Sequence, residues 1–208
     1  MQAGTAAAAY WNRTGGFDRT VAMLVQFNAL FAGAIAVTMV ARLAREEVAG
    51  RTGLVVSTPT GRLRWLVSGA VVTGGWSLLT LVWTGALLGL GLRLGLGEPA
   101  RLGQGILATL QYAPAVALVL AASVALAACW PRATPAGWAL IAWGFVVALR
   151  GDMLNLPQWE RRLSPLEWIG LVPIEDYRVS AAVGLAALAV LLVAAALPVF
   201  RRRDLLAG

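Results

Sequence analysis

Five stretches of this chain contain no aspartate, glutamate, lysine or arginine: residues 20–41, 65–92, 102–131, 133–149 and 179–200. A helix rises about 1.5 Å per residue, so about 20 residues cross a hydrocarbon core about 30 Å thick. The run 133–149 is only just long enough, and 102–131 is long enough to tilt or to begin as an interfacial helix. The expected fold class is therefore all-α: a polytopic helical membrane protein with about five transmembrane helices, read as a single domain over residues 1–208. Composition agrees, since 59% of residues are hydrophobic, 13% are charged and the mean hydropathy is +0.74. A soluble domain of this size would be far more polar.

The polar segments between the runs organise the chain. Residues 1–19 lack the basic start and apolar centre of a signal peptide and read as an interfacial segment or part of an outer loop. Residues 42–65, RLAREEVAGRTGLVVSTPTGRLRW, form the long charged link between the first two spans, read as a cytoplasmic loop that docks on something outside the membrane. Glu47 and Arg51 stand four apart in the favourable helical order, which predicts a short helix over 46–50 ending at Gly50 and Gly53. Pro59 forces a turn after Thr58, and Arg62 and Arg64 anchor the return to the membrane, with Trp65 as interfacial anchor.

Within the spans, Gln26 and Asn28 place amides at membrane depth, where they pack helices by hydrogen bonding or line a substrate path. Gly85 and Gly89 make a GxxxG pair that permits close helix contact. Pro114 predicts a kink in the third run, and Trp130, Pro131 and Pro135 mark a tight reversal. Residues 150–178 are a second polar region, in which Leu154, Leu156, Trp159, Leu163, Leu166 and Trp168 alternate with charges and prolines. The pattern predicts short helices lying in the interface or dipping partly into the membrane.

Counting excludes several chemistries. The net charge of +7 comes from arginine alone, with no lysine, no histidine and one cysteine, Cys129. Intrachain disulfides, zinc clusters and histidine-based triads are thereby excluded, and so is a phosphate loop, which requires lysine. No cofactor or metal is expected on the chain. If ATP drives the protein, another chain binds it. The arginines fall at the ends of apolar runs, so the basic balance calls for the lipid bilayer and for no nucleic acid. Ser68, Ser77, Ser123 and Tyr112 are conceivable catalytic hydroxyls, but no base accompanies them, and helix packing is the expected role. A secondary transporter would carry ionisable groups at depth, whereas Glu98, Asp152, Glu175 and Asp176 lie at span ends.

The motif Arg45-Glu46-Glu47, Gly50-Arg51, Thr58-Pro59, Arg62-Leu63-Arg64-Trp65, the hairpin Leu156-Pro157-Gln158-Trp159 with Leu163-Ser164-Pro165, and the ending Phe200-Arg201-Arg202-Arg203-Asp204-Leu205 together resemble one family. They are similar to the ABC-2 type permeases, in particular exporters of polyketide antibiotics, over roughly residues 21–205. The resemblance implies a permease subunit of an ATP-driven exporter that carries a lipophilic or amphipathic substrate out of the cell. It implies a coupling helix in the first loop, with Glu46, Glu47, Gly50, Arg51, Thr58, Pro59 and Arg62 contacting an ATP-binding cassette subunit. It implies an outer re-entrant hairpin that includes Pro157, Trp159, Ser164 and Pro165. A second permease half, or a second copy of the chain, would complete the transporter. The first apolar run corresponds to the family's second span, so the resemblance implies a missing first span and either a truncated start or a separate short subunit. A secondary transporter and a non-transporting membrane anchor are the alternatives.

Five spans place the chain ends on opposite sides of a plasma membrane. Nine arginines fall on the side of residues 42–65 and 201–203 and eight on the other. The dense clusters beside the spans put the C-terminus and the 42–65 loop in the cytoplasm and residues 150–178 outside.

Overall fold

The computed structural model describes residues 16–49, 62–96, 101–150, 157–172 and 174–202. All regular structure among them is helical: α1 (Gly16–Val48), α2 (Arg62–Leu96), α3 (Arg101–Leu110), α4 (Ala113–Cys129), α5 (Gly137–Arg150), α6 (Gln158–Arg161) and α7 (Val179–Arg202). Two 3-10 helices, Pro131–Ala136 and Pro165–Trp168, complete the order. Five stretches are long and apolar enough to cross a membrane, namely Asp18–Val48, Leu63–Gly95, Leu102–Cys129, Pro131–Leu149 and Val179–Phe200. The protein is an all-α, multi-pass membrane protein.

Two expectations about local structure change. The short helix predicted over 46–50 is not a separate element, because α1 runs unbroken through Arg42, Arg45, Glu46 and Glu47 to Val48. Nothing in residues 42–48 opposes helix, and continuing a helix already nucleated in the span costs less than starting a new one. Gly50, Arg51, Thr58 and Pro59 lie outside the described residues. The kink predicted at Pro114 is a full break, with α3 and α4 separated at Gln111 and Tyr112. Pro114 then sits in the first turn of α4, where its missing N–H leaves no intrahelical bond unmade.

The reversal after α4 follows from its prolines. Trp130 N–H closes onto Leu126 O at 2.7 Å, Ala133 N–H onto Trp130 O at 2.8 Å, and Thr134 Oγ1 donates to Pro131 O at 2.7 Å. The 14 residues of α5 rise only about 21 Å, so the fourth span needs the preceding 3-10 turns to reach across.

α1 and α4 form the centre. Half of the apolar window in the first and third spans is buried, against 17% for the second and 22% for the fifth. α1 packs on α2, α4 and α5, α2 on α3, and α4 on α7. Small residues make this possible: Ala22, Ala29, Ala32 and Ala36 on α1 and Ala115, Ala121 and Ala128 on α4 are all buried. Lipid tails are as apolar as leucine, so association here rests on close contact rather than on expelling water. The buried residues gather at two levels. One cluster joins Val25, Leu81, Tyr112 and Ala115 to Leu166, Ile169 and Val172 of the hairpin. The other joins Ala44, Leu66, Ala128 and Phe200 at the opposite end.

Candidate functional site: the charged helix ends and the opposite hairpin

At one end of the bundle, the last turns of α1 meet the first turns of α2. A cleft of about 290 Å³ opens between them, lined by Arg42, Glu46, Trp65, Ser68, Gly69 and Thr73 among others. Gly69 allows the close approach, because a Cβ there would collide with the Leu43 side chain. The hydroxyls are used locally, Ser68 Oγ donating to Trp65 O at 2.9 Å and Thr73 Oγ1 to Gly69 O at 2.7 Å.

The two glutamates of the charged segment part company here. Glu47 is 2% exposed, whereas Glu46 is half-buried on the cleft wall. Both residues have polar or electrostatic interactions within the chain. A buried carboxylate at the end of α1 is unfavourable next to the helix dipole unless it is held by partners, and Glu47 is the buried one of the two while Glu46 faces the opening. Of the other expected coupling residues, Arg62 begins α2, and Gly50, Arg51, Thr58 and Pro59 belong to the undescribed link.

At the opposite end, residues 157–172 and 174–178 belong to a hairpin tied down by side chains. Pro165, Leu166, Ile169 and Val172 are buried. Tyr112, fully buried at the break between α3 and α4, donates its hydroxyl to Gly170 O at 2.6 Å. Gly170 has φ +90, a conformation that suits glycine and turns the chain back toward α7. Trp143 Nε1 donates to Glu160 O at 3.0 Å, Trp168 Nε1 to Arg162 O at 2.8 Å, and Arg161 reaches Glu167 Oε1 at 2.8 Å through both Nε and Nη2. The four hairpin residues expected to matter divide in two. Ser164 and Pro165 are buried, and Pro157 and Trp159 are exposed.

Sequence reasoning missed Tyr112 and Trp143 as anchors of this hairpin. The available signal was a polar aromatic inside an apolar run, since a buried Tyr O–H or Trp N–H needs a partner. Of the other hydroxyls singled out, Ser77 Oγ donates across helices to Ala32 O at 3.2 Å, whereas Ser123 Oγ donates within its own helix to Val119 O at 2.9 Å.

Gln26 is buried in the α1 face and Asn28 is half-buried. Neither lines a cavity of about 370 Å³ that is walled by Val21, Val25, Leu88, Leu92 and Val172 and carries Asp18, Gln104 and Gln111 as its polar groups. Gln111 Oε1 is buried there without a hydrogen-bond partner among the described residues. An apolar cavity with a few polar groups suits an amphipathic guest better than a small ion. Among the described residues no cluster of acidic or sulfur side chains could hold a metal.

Comparison with known proteins sets this architecture in a family. The chain is 29% identical over 198 residues to the multidrug efflux system permease protein Rv1217c of Mycobacterium tuberculosis (strain ATCC 25618 / H37Rv), an alignment covering 92% of this chain. The chain spans about a third of that relative's length, 35%. The family model described as the multidrug efflux system permease Rv1217c, C-terminal domain, matches residues 2–201. A bundle of five apolar spans with charged helix ends on one side and a tethered hairpin on the other thus belongs to the family of the C-terminal domain of multidrug efflux permeases.

Proposed function

We propose that this chain is the membrane-spanning permease component of an ATP-driven exporter of the ABC-2 type, moving a lipophilic or amphipathic substrate such as an antibiotic out of the cell. The name of the relative, a multidrug efflux system permease, supports efflux of drug-like molecules. ATP is hydrolysed on a separate ATP-binding cassette subunit, and the chain performs no covalent chemistry and needs no cofactor of its own. A second permease half or a second copy faces it across the transport path. The C-terminus and the α1–α2 link lie in the cytoplasm of a plasma-membrane protein.

The observation that carries the reading is the cleft at the α1–α2 end, where Glu46 and Arg42 stand on one wall and Trp65 on the other. α1 is continuous from Glu46 to the centre of the bundle, so force applied at its charged end reaches α4 and α5 without an intervening loop. An ATP-binding subunit docking there would act directly on the central helix.

The burial of Glu47 assigns the two carboxylates different tasks. Glu46→Gln should leave membrane insertion unchanged but weaken retention of the ATP-binding subunit, with export falling in parallel. Losing a charged partner across such a contact costs about 2–5 kcal/mol. Glu47→Gln should instead lower the stability of the chain by itself. Co-purification and export measured on the same membranes decide it: a Glu46→Gln protein that retains its partner and exports at the unmodified rate removes the docking role.

A further inference from the structure

The hairpin and α7 enclose a groove whose two halves differ in character. The lower half, about 490 Å³, is apolar, walled by Leu118 of α4, Leu163 and Pro165 of the hairpin, and Gly184, Leu185 and Leu188 of α7. The upper half, about 520 Å³, is polar and basic, lined by Gln158, Arg161, Arg162, Arg178 and Glu167. Arg162, Trp168 and Ala181 line both. The two halves therefore adjoin at Arg162, Trp168 and Ala181, an apolar foot beside a cationic mouth.

The mouth is held in shape and carries spare positive charge. Trp168 is fixed by its bond to Arg162 O, and the Arg162 guanidinium lies 5.9 Å from the centre of that indole. Glu167 is engaged by Arg161. Arg178 pairs with Glu175 at 2.9 Å, but both side chains are about half exposed, and such a pair contributes little in water. Arg162 is exposed and has no carboxylate partner among the described residues. The foot has free space: a Cβ added at Gly184 meets nothing within 4 Å.

We propose that this groove is a binding site for an anionic glycerophospholipid of the leaflet on the hairpin side. One acyl chain lies along Gly184, Leu185 and Leu188, and the phosphate sits at Arg162 with Arg178 beside it. Charge complementarity selects the headgroup. The apolar foot, walled by residues of the membrane-spanning α7, selects a chain-bearing ligand over free phosphate. Binding there requires neither the ATP-binding partner nor a particular orientation of the chain.

The test is lipid titration by native mass spectrometry on the purified full chain, with phosphatidylglycerol and phosphatidylcholine of identical acyl chains. Phosphatidylglycerol should bind more tightly. Arg162→Gln should lower its affinity about fivefold, the size of one surface arginine's attraction for an anionic headgroup, and leave phosphatidylcholine unaffected. Gly184→Leu should lower binding of both lipids by filling the foot. Arg132→Gln, an exposed arginine at the other end of the bundle, should change neither. Inorganic phosphate at millimolar concentration should not compete; competition by it would identify a plain anion site and overturn the proposal. Equal binding of the two lipids, or equal losses for Arg162→Gln and Arg132→Gln, would overturn it as well. Arg162 is exposed, so its variant folds and keeps the test decisive even if Gly184→Leu does not.

Discussion

Tyr112 joins two distant parts of the molecule through one side-chain hydrogen bond. It is fully buried at the α3–α4 break, and its 2.6 Å bond to Gly170 O ties the hairpin to the bundle. Tyr112→Phe keeps the ring but leaves a buried carbonyl without its donor, a loss of about 1–3 kcal/mol. The expected outcome is a lower unfolding midpoint in detergent and faster proteolysis within residues 157–178, with the rest of the chain equally protected. An unchanged midpoint would show that the carbonyl finds another donor. The residue scale is also where sequence reading stopped short. Glu46 and Glu47 are adjacent and chemically alike, and only the packing of α1 against its neighbours decides that one is buried and the other faces a cleft. Long-range hydrogen bonds such as Tyr112 to Gly170, 58 residues apart, leave no local periodicity to read.

At the scale of elements, the α2–α3 pair is built on glycine. A Cβ at Gly85 would collide with Thr109 Oγ1 and lie 2.8 Å from Gly105 O, and one at Gly105 would meet the backbone of Gly85 and Gly89. Thr109 Oγ1 adds a bond across the helices to Leu81 O at 2.8 Å. The GxxxG pair was legible in sequence as a close-contact signal. Its partner is α3 of the same chain, an assignment that rests on the long-range placement of Gly105 opposite Gly85 and Gly89. The spans themselves were legible because charge-free length has few other meanings, whereas the unbroken reach of α1 to Val48 was not, since charged residues at a membrane exit suit loop and helix alike. Glycine substitution separates contact from propensity. Gly75→Ala and Gly91→Ala, where an added Cβ meets nothing, should be neutral or gain up to about 1 kcal/mol from helix propensity. Gly85→Ala and Gly105→Ala carry the same propensity gain but should lose about 1–3 kcal/mol through overpacking. Thermal unfolding of the four variants in one detergent checks it, and equal midpoints across them would refute the intimate α2–α3 contact.

For the whole molecule, the two buried clusters define two ends. Ala44, Leu66, Ala128 and Phe200 gather at one, so the exit of α1, the entry of α2, the α4–α5 link and the end of α7 share a side. Val21, Leu88, Leu92, Tyr112 and the hairpin gather at the other. This is the alternation that five spans require. Which end faces the cytoplasm is a separate matter, settled by charge during insertion. The arginines divide almost evenly, nine against eight, and acidic residues contribute little to orientation, so the balance rests on placement. Arg42, Arg45, Arg62 and Arg64 flank two spans within a short link, and Arg201, Arg202 and Arg203 close the last one. On the orientation proposed above, those clusters put the α1–α2 end in the cytoplasm. In a Cys129→Ala background, Gln158→Cys should react with an impermeant thiol reagent in intact cells, and Trp130→Cys, between the third and fourth spans, only after permeabilisation. Both positions are exposed, and neither substitution removes an arginine, so the labels do not disturb the signal they report. The reverse pattern would place the hairpin inside and the Glu46 cleft outside, where no ATP-binding subunit can reach it, and the docking role would fall with the orientation while the lipid groove would stand.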